Sequence, residues 1–209
     1  MPTYTATDGK TFTDLRAFRR HEFETQFTFK GRARETLRKA PGSINGQAFD
    51  LADLQECEVL LLDRSDQVQC DEVGDSRVFI AACCESLFVR DCSGCIFVAA
   101  CKQLRTRDCA DCTFYLYSKT EPVIETSHGL RFAPFNGAYI GHDEHLRLAN
   151  LESPNLWFAI FDFNDEAKTN ANWSLLAPED EEPPWRPLDD GADVAVPRTA
   201  PGDVVVPSQ

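Results

Sequence analysis

The chain has 209 residues, 43% of them hydrophobic, and a formal net charge of −13 at pH 7. This length fits one domain with extensions, and this hydrophobic fraction is enough for a sizeable core. The negative charge argues against non-specific nucleic-acid binding, because a phosphate backbone would be repelled. The sequence also predicts no membrane span, since no apolar stretch reaches the roughly 18 residues that a spanning helix needs.

Residues 1–40 are predicted to form an N-terminal extension. Within it, the charged stretch from Thr13 to Glu24 has apolar residues at helical spacing, which predicts a short helix covering the first repeat. The N-terminus lacks the basic and then apolar pattern of a secretory signal, and position 2 is Pro2 rather than the glycine needed for myristoylation. We therefore expect a cytoplasmic protein whose cysteines are reduced.

Residues 41–177 contain short apolar runs that recur with a period of roughly 17 to 19 residues, within the range of solenoid repeats. The clearest are Glu58–Leu62, Arg77–Ile80, Ile96–Val98 and Thr113–Leu116. A short period with two or three strands and no helical pattern predicts an all-β fold, a parallel β-helix in which each coil stacks on the next. The alternative is an antiparallel sandwich. Hairpin signals such as Asn-Gly or Asp-Gly are missing between these runs, which favours the β-helix.

The cysteines in this region allow two interpretations. Cys92-x-x-Cys95 and Cys109-x-x-Cys112 are spaced much like the ligands of a zinc ribbon. Each cysteine of the first pair also precedes its counterpart in the second by one repeat period, as expected for equivalent positions of neighbouring coils. A free cysteine behaves as a small buried hydrophobe. We therefore expect core cysteines rather than a metal site or a redox pair.

The segment Cys101–Cys109 carries two arginines, Arg105 and Arg107, in a predicted strand. Residues two apart in a strand project from the same face, so the two arginines are predicted to share one face, from which either can reach a phosphate or carboxylate of a partner. Glu125 follows about one coil later, where stacking would bring its carboxylate close to the arginines. The alternative for Arg105 is a surface ion pair with Asp91 or Glu125.

Independent catalysis is poorly supported by the sequence. The segment Gly141–His145 holds two histidines and two acids, which suggests a metal site, but no third ligand is in view. No Ser/His/Asp arrangement, P-loop or dinucleotide-binding motif is present. The sequence therefore predicts a non-enzyme with no metal and no cofactor of its own.

The C-terminal part changes in character. The apolar and aromatic segment Asn155–Phe163 is predicted to form a last strand or a capping element on the coils. Residues 178–209 hold seven of the twelve prolines, with eight acidic and two basic residues, a composition that does not build a core. We expect this tail to be largely irregular or to lie along the surface, with its start pinned by Trp185.

Four segments, in chain order, resemble the tubulin-binding cofactor C domain family, most closely its X-linked retinitis pigmentosa, GTPase-activating type. They are Pro41–Gln47, Leu104–Cys109, Glu121–Glu125 and Asn172–Leu176. The similarity runs from about Pro41 to about Pro178. It implies a right-handed parallel β-helix that activates Arf-like small GTPases by inserting an arginine into the partner's active site.

The resemblance also implies roles for individual residues. It assigns the arginine finger to Arg105, an acidic partner contact to Glu125 and an aromatic partner contact to Phe163. Arg107 matches a second basic position that helps to set the local structure. We therefore expect these four side chains to form one partner-binding surface.

One position departs from the family. Lys102 stands where the family usually has a glutamine that contributes to activation, and Gln103 matches the neighbouring glutamine. Both are expected at the partner interface.

The predicted function is a GTPase-activating protein for a GTP-bound Arf-like small GTPase, with GTP and Mg²⁺ held by the partner. By resemblance it acts at the cilium, flagellum or basal body, or in tubulin folding. The alternative, favoured by Lys102, is a non-catalytic scaffold or effector that binds a GTPase, tubulin or a basal-body component. A third possibility is an actin-regulatory β-helix like that of the cyclase-associated proteins, against which the arginine motif argues.

Overall fold

A small helical unit precedes the coils. The computed structural model describes residues 2–152, 154–188 and 196. Strands β1 (Tyr4–Thr5) and β2 (Thr11–Phe12) pair antiparallel and pack against helix α1 (Leu15–Gln26). The carboxylate of Asp14 caps this helix by accepting a hydrogen bond from the Arg16 amide. The predicted N-terminal helix is therefore confirmed, although it begins slightly later than the sequence placed it.

The remaining strands are wound into a parallel solenoid. They are β3 (Thr28–Ala33), β4 (Thr36–Lys39), β5 (Phe49–Gln55), β6 (Glu58–Ser65), β7 (Val68–Gly74), β8 (Arg77–Arg90), β9 (Ile96–Arg107), β10 (Thr113–Ser118), β11 (Val123–Glu125), β12 (Leu130–Pro134), β13 (Phe161–Asp162) and β14 (Trp173–Leu175). The predicted parallel β-helix is confirmed, and the antiparallel sandwich is wrong.

Pairing between successive coils produces two ladders. The first ladder runs β3-β5-β7-β8-β9-β11-β13. The second ladder runs β4-β6-β8-β9-β10-β12-β14. Strands β8 and β9 are long enough to belong to both ladders, with a register shift where they bend from one to the other.

The ladders begin earlier than the sequence indicated. Both β3 and β4 lie inside residues 1–40, the predicted extension, yet they pair in parallel with β5 and β6. The first coil therefore starts at Thr28 rather than at residue 41. The physical reason is its length, because Thr28 pairs with Asp50 and the interval between them is longer than the repeat period seen further along the chain.

Each coil turns at a corner built from two left-handed residues three positions apart. These corner pairs are Gly31/Arg34, Asp53/Glu56, Glu72/Asp75, Asp91/Gly94, Asp108/Asp111 and Thr126/Gly129. Glycine and aspartate adopt this backbone more readily than most residues. In the two corners that carry a CxxC pattern, each left-handed residue is followed directly by a buried cysteine. Val73 and Ser76 occupy the same two buried places one coil earlier, so the CxxC pattern marks a repeated corner.

The cysteines belong to the interior. All nine are free, and eight of them are buried. The Cys95 thiol donates to the Val73 carbonyl oxygen of the previous coil at 3.2 Å, and the Cys109 thiol donates to that of Val89 at 3.4 Å. Burial raises the pKa of Cys101, whose thiol is fully enclosed. The expectation of core cysteines is confirmed.

The solenoid carries two hydrophobic cores. The first fills the coils and includes a stack of Phe97, Phe114 and Phe132, with ring centroids 5.0 and 5.3 Å apart. The second lies on the outer face of the second ladder, under helix α2 (His142–Leu148). It forms because alternate residues on that face, such as Phe79, are also apolar. One outer face of the solenoid is therefore covered.

The C-terminal segments complete this cover. Trp185 donates its amide hydrogen to the Asn136 carbonyl oxygen at 3.0 Å, and its ring meets Phe79 edge-on. The Arg77 guanidinium lies 4.6 Å above the same ring. Trp185 therefore pins the start of the tail as predicted.

The aromatic segment before the tail also has its predicted role. It provides strand β13, the last rung of the first ladder, and a buried Trp157. In the tail itself, a short 3-10 turn, Pro178–Asp180, is the one helical piece of residues 178–188. The remainder of the predicted irregular tail lies outside the described residues, except for Val196. Among the described helices, none is long and apolar enough to cross a membrane.

Candidate partner-binding site on the first ladder

The outer face of the first ladder aligns side chains from distant parts of the sequence. Phe88, Arg105, Val123 and Phe161 stand in register across β8, β9, β11 and β13. Neighbouring rungs of a sheet are about 4.8 Å apart, so these side chains form one continuous row. Because residues two positions further along a strand share the same face, they form a second row beside it.

The second row carries the charges. Arg90, Arg107 and Glu125 are in register across β8, β9 and β11. Phe163 continues this row, since its amide donates to the Ile124 carbonyl oxygen at 2.9 Å. The sequence placed Glu125 near the arginines, and the structure sets it directly beside Arg107 and diagonally from Arg105.

A shallow groove of about 180 Å³ lies between the rows. It is lined by Phe88, Arg90, Arg105, Thr106, Arg107, Val123 and Glu125. The Arg105 side chain is exposed, and no described residue offers it a hydrogen bond or an ion pair. The alternative interpretation of Arg105, an ion pair with Asp91 or Glu125, is therefore wrong. Its guanidinium is exposed to solvent and is unpaired among the described residues.

The neighbouring cations are held by acids of their own. Arg90 donates to both carboxylate oxygens of Asp71, at 2.6 and 2.8 Å, and to the Gln69 amide oxygen at 2.8 Å. The hydrogen bonds to Asp71 raise the pKa of the Arg90 guanidinium above its ordinary value. Arg107 lies 3.4 Å from an Asp108 oxygen. These contacts hold Arg90 and Arg107 to acids of the protein, whereas Arg105 has no such partner among the described residues.

Glu125 is the matching free acid. Its side chain is exposed, and within the described ranges its carboxylate has no hydrogen-bond or ion-pair partner. With respect to the described residues, the groove therefore presents one free cation, Arg105, and one free anion, Glu125, on adjacent rungs. Such an arrangement suits a partner that carries both an anionic and a cationic group.

An apolar rim lies beside these charges. Phe163 is 64% exposed and Phe161 is 50% exposed, and their rings meet edge-on with centroids 6.4 Å apart. Two large aromatic side chains left open to water beside a charged groove are typical of a protein contact surface.

Lys102 and Gln103, which precede Arg105 on β9, have different surroundings. Gln103 is half-buried on β9, two positions before Arg105, and shares its face. Lys102 lines a separate groove of about 270 Å³ together with Glu85 and Lys119. Its ammonium nitrogen is 2.6 Å from a Glu85 oxygen. The structure thus groups Arg105, Arg107, Glu125, Gln103 and Phe163 on one face and places Lys102 away from the Arg105 groove.

Sequence reasoning missed Phe88, Val123 and the Arg90–Asp71 pair. The available signal was the coil length, because Phe88 lies one repeat period before Arg105 and Val123 lies about one period after it. To use that signal, one must know which residues pair between neighbouring coils. The number of residues between corners varies, so the sequence does not give this pairing directly.

The two close histidines belong to the second core. His142 is buried and approaches the Ala81 carbonyl oxygen through Nε2 at 2.7 Å. His145 lies between the Tyr139 hydroxyl and Asp63, with its Nε2 3.5 Å from the Asp63 carboxylate. Asp63 in turn accepts hydrogen bonds from the Ile44 and Asn45 amides, both at 2.7 Å. These contacts fasten α2 and the Ile44 loop to the second ladder, on the side of the coils away from Arg105.

The chemistry of the open face follows from Arg105. A guanidinium stays charged and binds phosphate or carboxylate oxygens through two parallel hydrogen bonds. Phe88 and Val123 form apolar walls beside it, and apolar walls exclude water from a bound group, which strengthens a charge interaction. A strand paired on both edges, as β9 is here, also fixes the position of the side chain.

Known proteins show similarity over the same region. The family model for tubulin binding cofactor C matches residues 46–163. Tubulin-folding cofactor C from Arabidopsis thaliana is 37% identical over 150 residues, covering 70% of this chain and 43% of its own length. Protein XRP2 from Danio rerio is 37% identical over 174 residues, covering 74% of this chain and 41% of its own length. The chain thus spans less than half the length of these curated relatives.

A solved structure supports the fold. Tubulin Binding Cofactor C from Leishmania major superimposes with a TM-score of 0.51 at 20% identity, covering 69% of this chain and 89% of that chain. The family match extends over more than half of the sequence and includes both Arg105 and Phe163. This chain therefore belongs to the tubulin-binding cofactor C family.

Proposed function

We propose that this protein is a GTPase-activating protein that supplies Arg105 in trans to a GTP-bound Arf-like small GTPase. The observation that carries the proposal is the exposed Arg105 guanidinium, which has no partner among the described residues and stands in a groove with a free acid and an apolar rim. Family membership supports it, since the family resemblance implies this activity. The proposed setting is the cytoplasm, in a ciliary, flagellar or tubulin-related pathway.

The reaction explains why an arginine would matter. GTP hydrolysis develops negative charge on the transferring phosphoryl group, and an arginine from a partner accelerates it about 10³–10⁵-fold in other GTPase systems. GTP and Mg²⁺ belong to the GTPase in this scheme. The protein contributes a cation that is already positioned on a paired strand, so little side-chain ordering remains to be done on docking.

The other groove residues have supporting roles in this proposal. Glu125 pairs with a basic residue of the GTPase, and Phe163 is buried against an apolar part of it. Arg107, held near Asp108, positions the end of β9 rather than entering the partner. Gln103 contacts the GTPase from the same face as Arg105.

Single-turnover GTP hydrolysis by a panel of Arf-like GTPases tests the proposal. Wild-type protein is compared with Arg105→Ala, Arg105→Lys and the control Arg147→Ala. Arg147 is an exposed arginine on α2, ion-paired with Glu144 at 2.6 Å, and lies outside the Arg105 groove. We expect both Arg105 variants to lose stimulation by orders of magnitude, because lysine lacks the planar fork, and the control to keep it. Full stimulation by Arg105→Ala would exclude the finger.

Lys102 favours a second candidate, a non-catalytic effector or scaffold for a GTPase or for tubulin. The family glutamine is replaced by a lysine that Glu85 holds in another groove. In that case the wild-type protein binds the GTP-loaded partner without accelerating hydrolysis. If stimulation then appears in Lys102→Gln, the substitution has silenced an otherwise intact site.

A further inference from the structure

The outer face of the first ladder continues beyond the Arg105 groove towards the N-terminal coils. Gln69 on β7 stands in register with Phe88, and Asp50 on β5 stands in register with Gln69. The row of side chains that contains Arg105 therefore extends without a break to Asp50. The two residues lie three rungs apart, which is about 14 Å.

Asp50 faces outward from its coil. Its neighbours Phe49 and Leu51 are fully buried, whereas Asp50 is half-buried, as expected for alternate positions of a strand. Its amide donates to the Phe27 carbonyl oxygen at 2.9 Å. Its carboxylate has no hydrogen-bond or ion-pair partner among the described residues. A carboxylate that is partly removed from water and accepts no hydrogen bond is unfavourable in the free protein.

The cations near Asp50 do not neutralise it. Arg90 reaches back from β8, but it donates to Asp71 and to Gln69. Lys30 lies on the adjacent strand β3 and forms no described ion pair with Asp50. Burial raises the pKa of the Asp50 carboxyl, the negative charge of Asp71 raises it further, and Arg90 offsets only part of this rise. Asp50 is therefore a second free acid on the face that carries Arg105.

The length of this row matches the footprint of a protein partner. From Asp50 to Phe161 the row crosses five rungs, which is about 24 Å. An interface of standard size covers about 800 Å² on each partner, which is roughly 30 Å across. A partner centred near Arg105 therefore reaches Asp50 at one end and the exposed Phe161 and Phe163 at the other.

The order of the charges on this face defines the partner that fits it. Arg105 is suited to a phosphate, and it stands between two free acids, Glu125 on one side and Asp50 on the other. A partner is complementary when its phosphate is flanked on both sides by basic side chains. A partner with an acid opposite Asp50 would bring two like charges together, which discriminates against it.

We propose that Asp50 is a specificity-determining contact, which pairs with a basic side chain of the GTPase about 14 Å from the phosphate that meets Arg105. This inference rests on the proposed docking of a GTPase at the Arg105 groove. Asp50 strengthens docking and selects the partner, but it does not touch the reacting phosphate. Because Asp50 lies outside the groove, its distance from Arg105 affects which partner docks and leaves the groove contacts themselves intact.

Single-turnover GTP hydrolysis, measured over a range of concentrations of the full-length protein, separates docking from chemistry. Wild type is compared with Asp50→Lys, with Asp50→Asn and with the control Asp180→Lys, which reverses an exposed acid in the 3-10 turn. We expect Asp50→Lys to raise the concentration that gives half-maximal stimulation by about tenfold or more, because a like charge then meets the basic side chain. Asp50→Asn should raise it less, and the control should not raise it. The maximal rate should stay unchanged in all three variants.

Charge reversal on the partner identifies the contact. The exposed lysines and arginines of the GTPase are changed to glutamate one at a time. One such variant should be stimulated weakly by the wild-type protein and should regain stimulation with Asp50→Lys.

The outcomes distinguish this inference from the proposed function. An unchanged half-maximal concentration in Asp50→Lys would overturn the inference and leave the proposed function standing. A lower maximal rate at an unchanged half-maximal concentration would also overturn it, because Asp50 would then act on the chemical step. If the wild type binds GTP-loaded GTPases without stimulating them, the same comparison is made on the dissociation constant. Failure of every GTPase in the panel to bind would overturn the proposed function and this inference together.

Discussion

The aromatic stack inside the coils gives a stability prediction that can be calculated from contacts. Phe114 is completely buried, and its ring is stacked at 8° to that of Phe97 and at 15° to that of Phe132. Phe114→Ala removes the ring from the middle of three coils. The space it leaves is enclosed on both sides by paired strands, so the surroundings collapse only partly.

The expected cost has two parts. A buried Phe→Ala change usually costs about 3–5 kcal/mol. Each aromatic pair contributes roughly 0.5–1.5 kcal/mol beyond its buried area, which places Phe114→Ala towards the upper end of that range. Phe114→Leu keeps most of the volume and loses the two ring contacts, so we expect a loss of about 1–2 kcal/mol.

Urea unfolding, followed by circular dichroism, tests this. The free energies of unfolding of the variants are compared with the same slope of free energy against urea concentration. In a chain of this size, 1 kcal/mol corresponds to a shift of about 2–4 °C in Tm. A loss below about 1 kcal/mol in Phe114→Ala would mean that the ring does not fill a rigid interior. An equal loss in the alanine and leucine variants would refute the separation into cavity and ring contributions.

Three further predictions concern the surface, acid stability and the thiols. Phe163→Ala should weaken binding of the GTP-loaded partner up to about 30-fold, because full burial of a phenylalanine side chain is worth at most about 3 kcal/mol and the exposed 64% of Phe163 therefore about 2 kcal/mol. Leu175→Ala, at a residue that is 46% exposed, should not weaken it. Isothermal titration calorimetry would decide, and equal losses would contradict the proposed interface. Burial lowers the pKa of His142 to about 4, so the unfolded chain binds its proton first, and stability present above pH 6.5 is lost as the pH falls towards 4. Urea unfolding at pH 7 and 4.5 should show this loss, about 2–3 kcal/mol, in the wild type but not in His142→Gln; an equal loss in both would refute it. Cys84 is the one cysteine of the nine that is not buried, so the native protein should show one rapidly labelled thiol, absent from Cys84→Ser. Rapid labelling of several thiols would contradict the buried corners.

The fold could be read from the sequence where the coils are regular. Runs such as Arg77–Ile80 and Ile96–Val98 recur at steady intervals because every coil must bury the same inward positions. The first coil was missed because its longer connection breaks that interval. Helix α2 covers one face through contacts such as that of His142 with Ala81, which are far apart in the chain and which no local pattern reports.

The residues of the candidate site were also predicted only in part. Arg105, Glu125 and Phe163 were assigned through the family resemblance, and the structure brings them onto one face. Lys102 was expected beside them and lies elsewhere, because β8 and β9 shift register between Cys83 and Ser86 as they bend from one ladder to the other. A bulge of this kind depends on how two coils stack, so it is not visible in either coil alone.

The groove is built from residues of successive coils, and this arrangement limits where insertions into the chain can be tolerated. Adding one complete coil between β5 and β7 would lengthen the protein by about 4.8 Å and leave every groove contact unchanged. The same insertion between β9 and β11 would separate Arg105 from Val123 by an extra rung and divide the site. Adding a single residue within a strand of the first ladder would turn the following side chains from solvent to interior. Length variation should therefore be tolerated early in the solenoid, in whole coils, and excluded from the segment between Phe88 and Phe163.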